Sequence, residues 1–179
     1  MPRVSKRQKL LEAAAMIVKE QGSDALTLDA VAKKAEVSKG GLLYHFSTKE
    51  ALVKALVQHM NDIYKENVES FVDEEDDEVG KWARAFIKVL HDKSIENQTI
   101  SGGMLAAQGI NPQLMKPLQE TYADWQYHME HDGLDPVDAT ILRLAVDGLW
   151  LSEIFGLGVL PQTLREQVLE RLEEQSRPK

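Results

Sequence analysis

The densest set of groups able to engage an anion lies between residues 37 and 46, which read VSKGGLLYHF. Lys39 supplies a positive charge, and Ser38, Tyr44 and His45 each carry a donor suited to a phosphate oxygen. Gly40 and Gly41 stand in the middle of this set, although a glycine inside a helix costs about 1 kcal/mol relative to alanine. Glycine at the first turn of a helix clears side chains from the unpaired backbone N–H groups, so that a phosphate or a duplex can approach them. The chemistry on offer is recognition of a nucleic-acid backbone. Catalysis fits poorly: Ser152-Glu153, His91-Asp92 and the acidic run DEEDDE at 73–78 offer no nucleophile, base and orienting group in one pattern, so no enzyme is expected. His128-x-x-His131 with Glu130 and Asp132 fixes no tetrahedral geometry, and neither a metal nor a cofactor is expected.

Several helices must position that stretch. Leu10, Leu11, Ala14, Ala15, Ile17 and Val18 form an apolar stripe over Ser5–Gln21, and Gly22 supplies a stop. Thr27 sits at an N-cap, ahead of Leu28, Val31, Ala32 and Ala35 at i, i+3, i+4 and i+7. Ser38 is the next cap, and from Thr48 the series Leu52, Ala55, Leu56, Met60, Ile63 describes a longer helix. Two of these helices joined by a turn of a few residues outline a helix-turn-helix. In such a unit the second helix enters the major groove, with its first residues near bases and phosphates. Thr27 and Lys49 start the flanking helices and are expected to reach phosphates as well, while Leu42 and Phe46 anchor the helix from beneath.

Charge divides the chain in the same place. The whole carries −8, yet the first 60 residues hold ten Lys and Arg against six Asp and Glu, so a +4 head precedes a −12 remainder. A basic head can bind phosphates despite an acidic body, because salt screens charges beyond about 10 Å. The division is drawn at residues 1–65 for the head and 66–179 for the body, with DEEDDE as a solvated linker or frayed helix end. Cysteine is absent, which removes disulfides and thiolate metal sites. No apolar run is long enough for a membrane span. Lys19, Glu20 and Glu12 interrupt the N-terminal apolar segment, so an amphipathic helix is read there and a cytoplasmic protein is expected.

The body also reads as helix throughout, giving an all-α chain. Helices are expected over Gly80–Asp92, over 101–109, from Asn111-Pro112 to about His131 with a bend or restart at Pro117, from Asp135-Pro136 to Phe155, and over Pro161–Glu174. The helix ending at Phe155 is apolar on several faces (Ile141, Leu142, Leu144, Val146, Leu149, Trp150, Leu151, Ile154), so it should be buried all round, with a second subunit as cover. All three Trp and several Met lie in the body, and Trp82, Phe86, Met104, Met115, Tyr122, Trp125, Met129 and Trp150 could line an adaptable apolar cavity; for any one of them a plain core role is the competing reading. Asp147, within an apolar helix, is the candidate polar group of such a cavity, or else a paired or exposed group at a dimer edge.

TLDAVAKKAEVSKGGLLYHFSTKEAL, residues 27–52, resembles the helix-turn-helix signature of the TetR family of bacterial transcriptional regulators, and LLEAAAMIVKEQG upstream is similar to that family's first helix. The resemblance covers about the first third of the chain. It implies an N-terminal DNA-binding domain whose contacts come from Thr27, Ser38, Lys39, Gly40, Gly41, Leu43, Tyr44, His45 and Lys49. It also implies a helical body that binds a small, largely apolar effector and forms a homodimer through residues 136–174. Three positions depart from the signature: Glu36 replaces a turn glycine, Gly41 a Thr or Ser, and Leu43 a frequent Tyr. The expected function is a ligand-responsive regulator, a repressor by preference, on a near-palindromic operator. The alternative is a helical protein-interaction module that kept the head fold and lost specific operator binding.

Overall fold

The computed structural model describes residues 5–91 and 107–177. Every regular element among them is helical: α1 (Lys6–Gln21), α2 (Leu28–Lys34), α3 (Lys39–His45), α4 (Lys49–Asp73), α5 (Lys81–His91), α6 (Lys116–Glu130), α7 (Pro136–Phe155) and α8 (Gln162–Gln175), with short 3-10 turns at Ser23–Ala25 and Pro112–Met115. Met104 and the first part of the helix expected over 101–109 lie outside the described residues; residues 107–110 are helical.

The chain forms two compact units. One contains residues 5–63 and 107–120, the other residues 64–91 and 121–177. The boundary therefore falls inside α4, and residues 107–120, assigned to the body on sequence, pack with the head; Asn111 Nδ2 donates to Glu50 Oε1 at 3.0 Å. The core of the first unit comes from the apolar stripe of α1 (Leu10, Leu11, Ala14, Ile17), closed by Leu26, Val31, Leu42 and Leu52, all buried. Hydroxyl caps define its helix starts: Ser5, Thr27, Ser38 and Thr48 each accept from the backbone N–H three residues on.

The second unit is held differently. Arg84 of α5 is fully buried and spends its guanidinium on four acceptors: Glu75 Oε2 at 2.5 Å, Asp77 O at 2.6 Å, Val79 O at 2.7 Å and Ser176 O at 3.0 Å. The acidic run is thus tied down at Glu75, while Asp73, Glu74, Asp76 and Glu78 stay exposed at and beyond the end of α4. Its Glu75 carboxylate, 8% exposed, also takes Lys88. A lone buried charge would be prohibitive, so Arg84 and Glu75 are each fixed by the other. Gly80 lets this turn close, since it has φ +76° and a Cβ there would sit 2.1 Å from Ser176 O.

Two further expectations shift by a few residues. The Asn111-Pro112 start opens a 3-10 turn, and the α-helix restarts at Lys116, one residue before Pro117, where a missing N–H is harmless. Pro161 stands at the N-cap of α8, so that helix begins at Gln162. In the single chain part of α7 is uncovered: Val137, Ile141, Leu144, Leu151 and Phe155 are exposed. No helix among the described residues is long and apolar enough to cross a membrane.

Candidate nucleic-acid interface

The entry to α3 is built from α2's exit. Glu36 N–H bonds Lys33 O and Val37 N–H bonds Ala32 O, the paired bonds of a Schellman motif, with Glu36 as its left-handed residue at φ +55°. The turn is kept without its glycine, at about 1–2 kcal/mol of conformational cost. Ser38 then caps α3 through Gly41 N–H, and Leu42 and Phe46 bury the inner face. Their burial fixes the rotation of the helix, which leaves Lys39, Gly40, Leu43 and Tyr44 facing outward, with Tyr44 86% exposed.

The two glycines differ. A Cβ on Gly40 would meet nothing within 4 Å, so no contact in the protein requires glycine there. A Cβ on Gly41 would lie 3.0 Å from Val37 Cγ1 and 3.1 Å from Ser38 Oγ. A side chain at Gly41 would crowd the Ser38 cap, whereas the protein itself sets no such limit at Gly40.

The other candidates spread around this face. Thr27 and Ser38 are exposed; their oxygens accept cap bonds, which leaves each hydroxyl proton available to an external acceptor. His45 is half-buried, its ring edge-on to Tyr44 at 5.2 Å. Lys49 is half-buried too, and its ammonium donates to Ser23 O at 3.4 Å, so it secures the turn before α2. Lys39 pairs with Asp29 of α2 at 2.9 Å, with both side chains well exposed. Asp29 was missed because an acid at the start of a helix reads as an ordinary partner of the helix dipole. Arg7 was missed as well: it lies over the Phe46 ring at 5.7 Å and brings α1 to the end of α3.

In the second unit, Tyr64, Phe86, Tyr122 and Trp125 form one aromatic cluster with centroid separations of 5.2 to 6.0 Å. Phe86, Trp125, Met129 and Trp150 are buried side chains of its core. Tyr64 joins from the far part of α4. Trp82 lies apart from the cluster, stacked on His128 at 4.3 Å, and Met115 belongs to the first unit. Asp147 accepts from Tyr122 Oη at 3.2 Å and from Arg143 at 2.7 Å. Burial raises its pKa, an effect that Arg143 and the Tyr122 hydroxyl offset only in part. Burial also pushes both tyrosine hydroxyls well above the usual phenol range, so they stay neutral donors. His131 stacks on Tyr127, and among the described residues no three His, Cys, Asp or Glu groups converge on a possible ion site.

Residues 10–56 match the family model described as bacterial regulatory proteins, tetR family, and residues 80–177 match that of the Tetracyclin repressor-like C-terminal domain. The chain belongs to the TetR family. It is a DNA-binding transcriptional regulator with a helix-turn-helix formed by α2 and α3. The biofilm operon icaADBC negative transcriptional regulator IcaR of Staphylococcus aureus is 32% identical over 65 residues, 34% of this chain and 35% of IcaR. The chain thus matches about a third of that curated relative's length. A TetR-family member from Streptomyces coelicolor A3 is 26% identical, with a TM-score of 0.65 over 94% of this chain and 98% of its own. The multidrug binding protein EbrR complexed with ethidium is 25% identical, with a TM-score of 0.61 over 94% of this chain and 98% of its own.

Proposed function

We propose that this TetR-family protein is a homodimeric repressor that grips a near-palindromic operator with two copies of α3 and releases it on binding a small, largely apolar effector. The observation that carries the DNA part is the outward face of α3, where Gly40 leaves open space between Lys39 and Tyr44 without any need inside the protein. Thr27, Ser38, Lys39, Tyr44 and His45 engage phosphates, with Gly40 and Gly41 bringing backbone close; Lys49 contributes by holding the turn before α2. Repression is the direction named for IcaR, which matches 65 residues of this chain.

Dimerisation is supported by the exposed stripe of α7. Val137, Ile141, Leu144, Gly148, Leu151 and Phe155 follow one another at four- and three-residue steps, the spacing of a helix-packing seam. Leu164 of α8 is exposed as well, so residues 136–174 supply the interface of a four-helix bundle across a two-fold axis. Such a dimer presents its α3 helices to successive major grooves about 34–36 Å apart.

The effector is placed among the rings of the second unit. The indole N–H groups of Trp125 and Trp150 are buried with no acceptor among the described residues, and Asp147, one turn before Trp150 on α7, offers an anchor. EbrR's complex with ethidium supports a ring-bearing effector. Release requires that the effector favour a conformer in which the two α3 helices no longer fit one face of the duplex.

Fluorescence anisotropy against duplexes selected from genomic fragments tests the reading. Lys39→Ala and Tyr44→Ala should each weaken binding, and Lys39→Ala should reduce the salt slope by about one unit per lost phosphate contact. If no specific duplex is retained from the selection, the protein-interaction module is the better account. For the dimer, light scattering should show twice the chain mass at micromolar concentration, and monomer for Leu144→Asp.

A further inference from the structure

We infer that Leu43 reads the C5-methyl group of a thymine in each half of the operator. The inference rests on the DNA-docking reading above and adds what the helix recognises. Leu43 is 42% exposed on the outward face of α3, between Gly40 one turn earlier and Tyr44. A single exposed leucine is ordinary on a protein surface. Its surroundings here are less ordinary. Residues 38–45 contain no Arg, Asn, Gln, Asp or Glu, the side chains that pair with the polar edges of guanine, adenine or cytosine. Lys39, the one Lys or Arg of this stretch, pairs with Asp29 at 2.9 Å and is assigned to phosphate above. Gly40 presents no side chain and open space. The apolar part of the reading face is therefore the Leu43 side chain, with no side chain at Gly40 to crowd it.

Of the groups that base pairs display in the major groove, the thymine methyl is the apolar one. A leucine with its neighbouring turn cleared fits that group by shape and by polarity. Polar edges set against the same patch would lose water and gain no partner, which disfavours them. Leu43 thus selects by rewarding a methyl and by leaving other bases unsatisfied.

Replacing thymine by uracil in the duplex removes the methyl and leaves all base-pairing and groove hydrogen-bonding groups in place. The experiment takes the tightest duplex that the wild-type protein selects from a random library and substitutes uracil for thymine one position at a time. Burial of a group of that size predicts about fourfold weaker binding for one half-site and about fifteenfold for the symmetric pair. In Leu43→Ala the loss at that position should shrink below about twofold, with an unchanged melting temperature as the control for folding. Leu43→Met should retain most of the discrimination. Uracil tolerated at every thymine overturns the inference, as does discrimination that persists undiminished in Leu43→Ala. Failure to select any duplex overturns the DNA reading itself, which separates the two failures.

Discussion

In the first unit Arg7, Lys33 and Lys39 lie at the surface while hydroxyls close the helix ends; in the second, Arg84, Arg143 and Arg165 turn inward. Arg84 fastens the 75–80 turn to Ser176, Arg143 joins Gln126 of α6 to Asp147, and Arg165 joins Glu153 of α7 to the carbonyl of Leu90 on α5. The same residue types thus do opposite work. Surface cations over a neutral, capped framework remain available to an external polyanion. Buried cations tied to internal carboxylates make an acidic body rigid without offering its charge outward. The +4 head and the −12 remainder follow that division.

The strongest way to break the comparison is to remove the internal arginine. Arg84→Ala should lower stability by about 3–5 kcal/mol in denaturant unfolding, because Glu75 would be left buried without its main partner. Glu75→Gln probes the same pair through pH. Burial alone would raise the Glu75 carboxyl, but hydrogen bonds from Lys88 and Arg84, with their charges, outweigh it and hold the group below the ordinary carboxylate range. A folded-state pKa below the unfolded one stabilises the protein at neutral pH, and that stabilisation is lost as pH falls through the depressed value. The wild-type melting temperature should therefore fall on acidification in that window, and the Gln variant should show a flatter acid limb from a lower starting point.

Smaller effects are expected in the head. Glu36→Gly removes the left-handed strain at φ +55° and should raise stability by about 1 kcal/mol, a shift of about 2–4 °C in Tm. Asp29→Asn should leave stability within about 0.5 kcal/mol, since an exposed pair contributes little. It should nevertheless tighten DNA binding and steepen its salt dependence, because Lys39 is freed for phosphate.

The sequence made the head legible because its devices are local. Ser5, Thr27, Ser38 and Thr48 announce helix starts through their own side chains, and a cap is decided within four residues. Asp135 with Pro136 marked α7 in the same way. The misses were long-range. DEEDDE reads as solvated until Arg84, nine residues beyond Glu75, proves to be buried against it. Lys49 reads as a phosphate contact, and nothing local announces its bond to Ser23, 26 residues earlier. Periodicity reports which face of a helix is apolar; it does not report which distant carbonyl a long cationic side chain will find. For the same reason Asp29, whose partner is ten residues away on another helix, left no signal.

The most direct test of the account uses Gly40→Leu, since a Cβ added at this position meets nothing within 4 Å in the protein. Thermal melting and DNA anisotropy measured on this one variant should move in opposite directions. Stability should be unchanged or higher by about 0.5–1 kcal/mol, from the better helix former, while affinity for the wild-type protein's selected duplex falls at least tenfold. A Gly40→Leu protein that binds that duplex as tightly as the wild type would contradict the docking of α3 against DNA.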